Sequence, residues 1–290
     1  MRSEYDAAVL DPVRRVALLM AGLQALDADL YFLQEVEEGL METLREMILD
    51  AVVLEPGDTA PFALRARALD ETVLVKRFLD LETGRAFCAA VTHLYYHPRH
   101  PDLKVLQAHA ACAAVRAFAS AQGGPQPILL AGDFNSLAEK RVSDEFDEVP
   151  EGCIKVSGVY ELLSQGRVAH SNSDHPASRN SPAELGRLRD VEWTSTGLSL
   201  ESAAVRAWGR EPSFTNHTPS FTGCLDYVWL SRGDWQVVGA MAMPGGSEGG
   251  EPNQATPGYG PLPSATEPSD HVALGFCLRL PLTVNSAHSG

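Results

Sequence analysis

Pro127-Ile-Leu-Leu-Ala-Gly-Asp133 is an apolar run that meets no polar residue until it stops on Gly-Asp-Phe-Asn. A strand with one wet face alternates apolar and polar residues. A short run without alternation has to be covered on both sides, so the chain that carries it must build layers above and below a sheet. Asp29-Leu-Tyr-Phe-Leu-Gln-Glu-Val36 has the same form and predicts a buried strand delivering Gln34 and Glu35 at its carboxyl end. Helices are predicted over residues 12–26, 39–53 and 104–121, the first from Val13, Val16, Ala17, Met20, Leu23 and Leu26 at helical spacing behind Asp11-Pro12. Residues 72–81 and 85–93 read as a hairpin around Glu82-Thr83-Gly84, and 224–230, 235–243 and 271–280 as three later strands.

With 290 residues, 44% hydrophobic and 21% charged, the chain has the make-up of a globular protein. A single domain over residues 1–281 with a tail at 282–290 is expected. Its net charge of −15 excludes wrapping duplex nucleic acid by charge alone, so a polyanionic substrate needs help, most simply from a metal ion. The five cysteines, Cys88, Cys112, Cys153, Cys224 and Cys277, are odd in number and never in a C-x-x-C pair, which fits a reducing interior rather than a disulfide scaffold. No apolar run is long enough to cross a membrane, and Glu4, Asp6 and Asp11 are unlike a signal or transit peptide. An intracellular location, cytoplasmic or mitochondrial, is expected. Residues 169–184 and 244–269, the latter with six prolines and six glycines, are expected as surface loops.

Five polar clusters sit at the ends of predicted strands: Gln34-Glu35, Thr92-His93, Gly132-Asp133-Phe134-Asn135-Ser136, Leu225-Asp226-Tyr227 and Ser269-Asp270-His271. Each alone has an ordinary reading as turn chemistry or a solvated terminus. Together they predict one shared site at a sheet edge. The order LQEV (33–36), THLYYHP (92–98), GDFNS (132–136), FTNHTPSFTGCLDYVW (214–229) and SDH (269–271) resembles the endonuclease/exonuclease/phosphatase superfamily, nearest to its 2',5'-phosphodiesterases and its deadenylases of the carbon-catabolite-repressor and nocturnin type.

That resemblance implies a four-layer α/β sandwich, two packed mixed β-sheets flanked by helices, and a magnesium-dependent phosphodiesterase, with manganese able to substitute. It implies Glu35 as a metal ligand with Asp270 near the metal, Asp133 positioning or deprotonating the attacking water, and Asn135 and His93 bonding phosphoryl oxygens. His271 would stabilise the transition state, with Asp226 orienting an imidazole. Phe221 and Pro98 match an aromatic and a proline that sandwich a terminal adenine, and Asn216 an amide near the base. The expected reaction is 3'-to-5' exoribonuclease hydrolysis of poly(A) or of 2',5'-oligoadenylate by in-line water attack, with RNA as the partner and no membrane. The family's first strand, which carries an Asn at the metal, has no match before Asp11, so a degenerate RNA- or protein-binding module is an alternative. A phosphatase acting on a phosphorylated small molecule or nucleotide is another.

Overall fold

A computed structural model describes residues 9–36, 73–121, 124 and 126–281. Its centre is the run that opens the sequence argument. Strand β3 (Ile128–Asp133) is buried at all six positions. Ile128 and Leu130 enter one apolar cluster, with Val105, Val115 and Trp229. Leu129 and Ala131 enter another, with Leu230, Trp235 and Leu280. Two cores on opposite faces of one strand are the physical reason its sequence does not alternate.

The hairpin forms as expected. Strands β1 (Val73–Leu79) and β2 (Ala86–His93) pair antiparallel, from Val73 opposite Thr92 to Leu79 opposite Ala86. β2 runs parallel to β3, the chain crossing through helix α2 (Pro101–Ala121), which lays Val105, Ala108, Cys112, Val115 and Ala119 on the first core. Two small ribbon strands follow, β4 (Glu139–Lys140) and β5 (Lys155–Val156). Helix α3 (Gly158–Gln165) comes next, capped by the Ser157 hydroxyl, which accepts from the Tyr160 N–H. Beyond the single-turn helices α4 (Pro176–Arg179) and α5 (Pro182–Leu185), strand β6 (Leu200–Ser202) leads into helix α6 (Ala203–Trp208). The short strands β7 (Asn216–His217) and β8 (Thr222–Gly223) pair with each other. Strand β9 (Asp226–Ser231) lies antiparallel to β3, completing a five-stranded mixed sheet in the order β1-β2-β3-β9-β6. A second sheet, β10 (Gln236–Ala240) with β11 (Phe276–Arg279), covers the other face through Phe276, Leu278 and Val237. The architecture is mixed α/β, a central mixed sheet flanked by helices.

Residues 169–184, expected as a surface loop, carry α4 and the start of α5 and bury Asp174 and His175, and three further expectations change. Residues 29–36 do not join a sheet among the described residues. Tyr31, Leu33 and Val36 pack on Met20 and Leu23 of helix α1 (Pro12–Leu26), while Phe32 reaches the second core. The run is apolar because it is sandwiched, and burial alone does not supply a strand with a hydrogen-bonding neighbour. The strand expected over 271–280 pairs only at Phe276–Arg279, and the residues before it turn toward β7. The loop 244–269 is irregular but not merely superficial, since Leu262 packs with Phe214, Met243 and Val272 in a third core. The predicted helix over 39–53 lies outside the described residues. Among those described, no helix is long and apolar enough to cross a membrane.

Candidate active site

The strand register assembles the site. His93 ends β2 directly opposite Asp133, the last residue of β3, and Asp133 in turn lies opposite Asp226, the first residue of β9. Two carboxyl ends and one amino end therefore meet, because β9 is antiparallel. Gly132 makes the approach possible: its φ is +148°, and a Cβ there would collide with the Thr92 carbonyl. His271 reaches the same point from a segment beside β7. Its neighbourhood is held by an isolated bridge to Asn216 and by the Val272 N–H donating to Thr215 O at 2.7 Å.

The side chains converge. The Asp226 carboxylate Oδ2 is 2.7 Å from His271 Nδ1. Asp133 Oδ2 lies 3.6 Å from His93 Nε2 and 3.9 Å from His271 Nε2. Asp133, Asp226 and His271 offer ligand atoms within 4.8 Å of one another, the one such set among the described residues. Asn135, held at φ 48°, donates its backbone N–H to Asp133 Oδ1 at 2.7 Å and its amide Nδ2 to Leu94 O and Asp133 Oδ2.

Electrostatics follow from this crowding. Burial pushes Asp133 up to about 7, the nearby Asp226 charge adds to the rise, and His271, the Asn135 N–H and Lys104 only partly offset it. Burial alone would strip the proton from His271, but the hydrogen bond to Asp226 and the charges of Asp226, Asp133 and Asp270 push it up to about 9. His93 is lowered, by burial first, against the pull of Glu35 and Asp226. Carboxylates from four separate segments thus act on two imidazoles. Hard oxygen donors in excess around a buried carboxyl that resists ionisation form a setting that a divalent cation would relieve.

The remaining expected residues fall around this centre. Glu35, at φ 54°, is exposed and near enough for its charge to act on His93, but outside the close donor set. Asp270 accepts a long contact of 3.5 Å from the Asn216 amide, and Asn216 itself is buried. Phe221, 37% exposed, lines an open groove of about 480 Å³ with His217, Thr218, Asn253 and Pro261. Pro98 is exposed in the loop between β2 and α2. Sequence reasoning missed Lys104, buried on α2, whose ammonium donates to Asn135 O. It also missed Thr215, whose hydroxyl accepts the N–H groups of Leu225 and Asp226 and so sets the start of β9. A lysine in the apolar face of a helix was the only available signal.

Residues 5–271 match the Endonuclease/Exonuclease/phosphatase family. The chain is 26% identical over 251 residues to the CCR4-Not complex 3'-5'-exoribonuclease subunit Ccr4 of Phaeosphaeria nodorum, covering 72% of this chain and 36% of that protein. It is 25% identical over 246 residues to human 2',5'-phosphodiesterase 12, covering 85% and 34%. The chain thus spans about a third of the length of these curated relatives. The solved structure of the human Nocturnin catalytic domain with bound sulfate anion superposes with a TM-score of 0.58 at 18% identity, over 94% of this chain and 88% of that one.

Proposed function

The chain belongs to the endonuclease/exonuclease/phosphatase family, and from that premise we propose that it is a magnesium-dependent phosphodiesterase that shortens adenylate-rich RNA or 2',5'-oligoadenylate from the 3' end. The observation that carries the reading is the register placing His93, Asp133 and Asp226 side by side, with His271 hydrogen-bonded to Asp226. The exoribonuclease and 2',5'-phosphodiesterase relatives support the substrate class.

Glu35 and Asp270 would hold the cation, for which manganese would substitute. When bound, magnesium supplies neutralisation of the non-bridging phosphoryl oxygens and makes the phosphorus more open to attack. Asp133 Oδ2 takes a proton from the attacking water, a task suited to a carboxyl raised to about 7. The Asn135 amide holds the phosphoryl group in line. His271, charged at neutral pH, donates from Nε2 to the developing phosphorane charge, while Asp226 holds its Nδ1–H. His93 adds a second donor. Phe221 in its open groove would stack the terminal adenine, and the resemblance assigns Pro98 and Asn216 to the same base.

The test is degradation of 5'-labelled RNA with a 3' oligo(A) tail, and of 2',5'-linked oligoadenylate, with magnesium or EDTA. Stepwise shortening that needs the metal and falls ~10²–10³-fold in Asp133→Asn is expected. Metal-independent cleavage, or full activity in the variant, overturns the proposal.

A further inference from the structure

Tyr95, Tyr96, His97 and His100, in the loop that leaves the His93 strand end, form a continuous aromatic surface that the chemistry above does not use. Tyr95 and Tyr96 lie 5.1 Å apart between ring centroids, His97 and His100 5.6 Å, and Tyr95 and His100 5.9 Å. Phe146, from the β4–β5 connection, meets His97 edge-on at 6.2 Å, and the Arg99 guanidinium lies 5.6 Å from the Phe146 ring centre. Tyr96 is 67% exposed, so its ring face is open to a ligand.

We propose that this surface is a binding platform for the nucleotides that precede the cleaved linkage of a single-stranded oligonucleotide; the inference rests on the phosphodiesterase reading. Three observations carry it. The platform is continuous with the site: Leu94, between His93 and Tyr95, accepts the Asn135 amide, and Lys104 donates to both Tyr96 O and Asn135 O. It is rigid, since the Tyr95 N–H donates to Gln107, the Arg99 N–H to His97 Nδ1 and the His100 N–H to His97 O. Arg99 offers a cation to a phosphate backbone, and two of the neighbouring acids, Asp144 and Asp147, are paired with Lys140, Lys155 and Arg179. Exposed aromatic rings with a guanidinium beside them bind bases without demanding a sequence, and without the net positive charge this chain lacks.

The test compares kcat/KM for 2',5'- and 3',5'-linked oligoadenylate dimers and hexamers in the wild-type protein, Tyr96→Ala and Tyr96→Phe. The hexamer-to-dimer ratio is expected to fall about tenfold in Tyr96→Ala and to return in Tyr96→Phe. A ratio unchanged by Tyr96→Ala overturns the platform. Should the protein cleave neither linkage, the phosphodiesterase reading fails separately, and fluorescence anisotropy of a labelled oligoadenylate hexamer still decides this proposal. Binding weakened about tenfold by Tyr96→Ala, and lost when abasic sites replace the bases, supports it. Equal binding by both proteins, or by the abasic strand, rejects it.

Discussion

Asp226 sets the charge state of His271. Burial works against an imidazolium, yet the 2.7 Å contact with Asp226 and the surrounding carboxylates leave the ring charged up to about pH 9. Because this pKa is raised above its unfolded value of 6.5, the stabilisation is fully present below about pH 6.5 and is lost as pH rises through about 9. In metal-free Asp226→Asn the His271 titration should drop by roughly one to three units, read from the ring protons by NMR across pH 5–10. A titration that stays near 9 would show that Asp133 and Asp270 suffice, and that Asp226 does something else. That Asp133, Asn135 and His271 share one site was legible because their polar clusters end apolar runs and recur in an order that resembles a known family. Lys104 and Thr215 were not, because what matters about them is the distant atom each touches, and neither periodicity nor spacing encodes that.

At the scale of elements, the sequence was readable wherever burial and hydrogen bonding coincide. The non-alternating run became β3 and the glycine turn became the β1–β2 hairpin, whereas the apolar residues of 29–36 are only partly buried, without a sheet partner among the described residues, and so misled. Helix α3 was missed because eight residues give barely two turns of pattern, and its position depends on polar contacts instead. Asp174, 3% exposed, accepts the Gly158 N–H at the start of α3 and pairs with Lys155 of β5 and Arg179 of α4. Asp147 gathers Lys140, Lys155 and Arg179 into the same network. Burial alone would raise Asp147, but the two lysines hold it down at about 2. A depressed carboxyl stabilises above its unfolded value of 3.8, and that contribution disappears as pH falls through about 2. Asp147→Asn should therefore cost about 2 kcal/mol at pH 6, read from urea midpoints, and should flatten the loss of stability between pH 4 and pH 2. An acid limb as steep as the wild type would place the stabilising charge on another residue.

Over the whole molecule, the acidic balance and the assigned chemistry constrain each other. A chain with 23 basic and 38 acidic residues has little long-range attraction for RNA. Binding then has to come from a cation at the carboxylate cluster, from stacking on Phe221 and on the Tyr96 surface, and from a few fixed positive groups such as Arg99 and His271. Those contributions differ in their response to salt. Each phosphate neutralised by a protein cation releases counterions and steepens the dependence of affinity on salt by about 0.7 in log–log slope for a single strand, whereas stacking contributes almost nothing to it. With two or three phosphates met by such groups, the slope for an oligoadenylate should lie near −1.4 to −2.1, so that raising KCl from 50 to 200 mM weakens binding only about seven- to twentyfold. The measurement is anisotropy of labelled oligoadenylate on Asp133→Asn at fixed magnesium, where hydrolysis is slow enough not to compete. A slope of about −4 or steeper would require six or more phosphate contacts. It would move the main substrate interface away from the stacking surfaces and onto a set of basic groups.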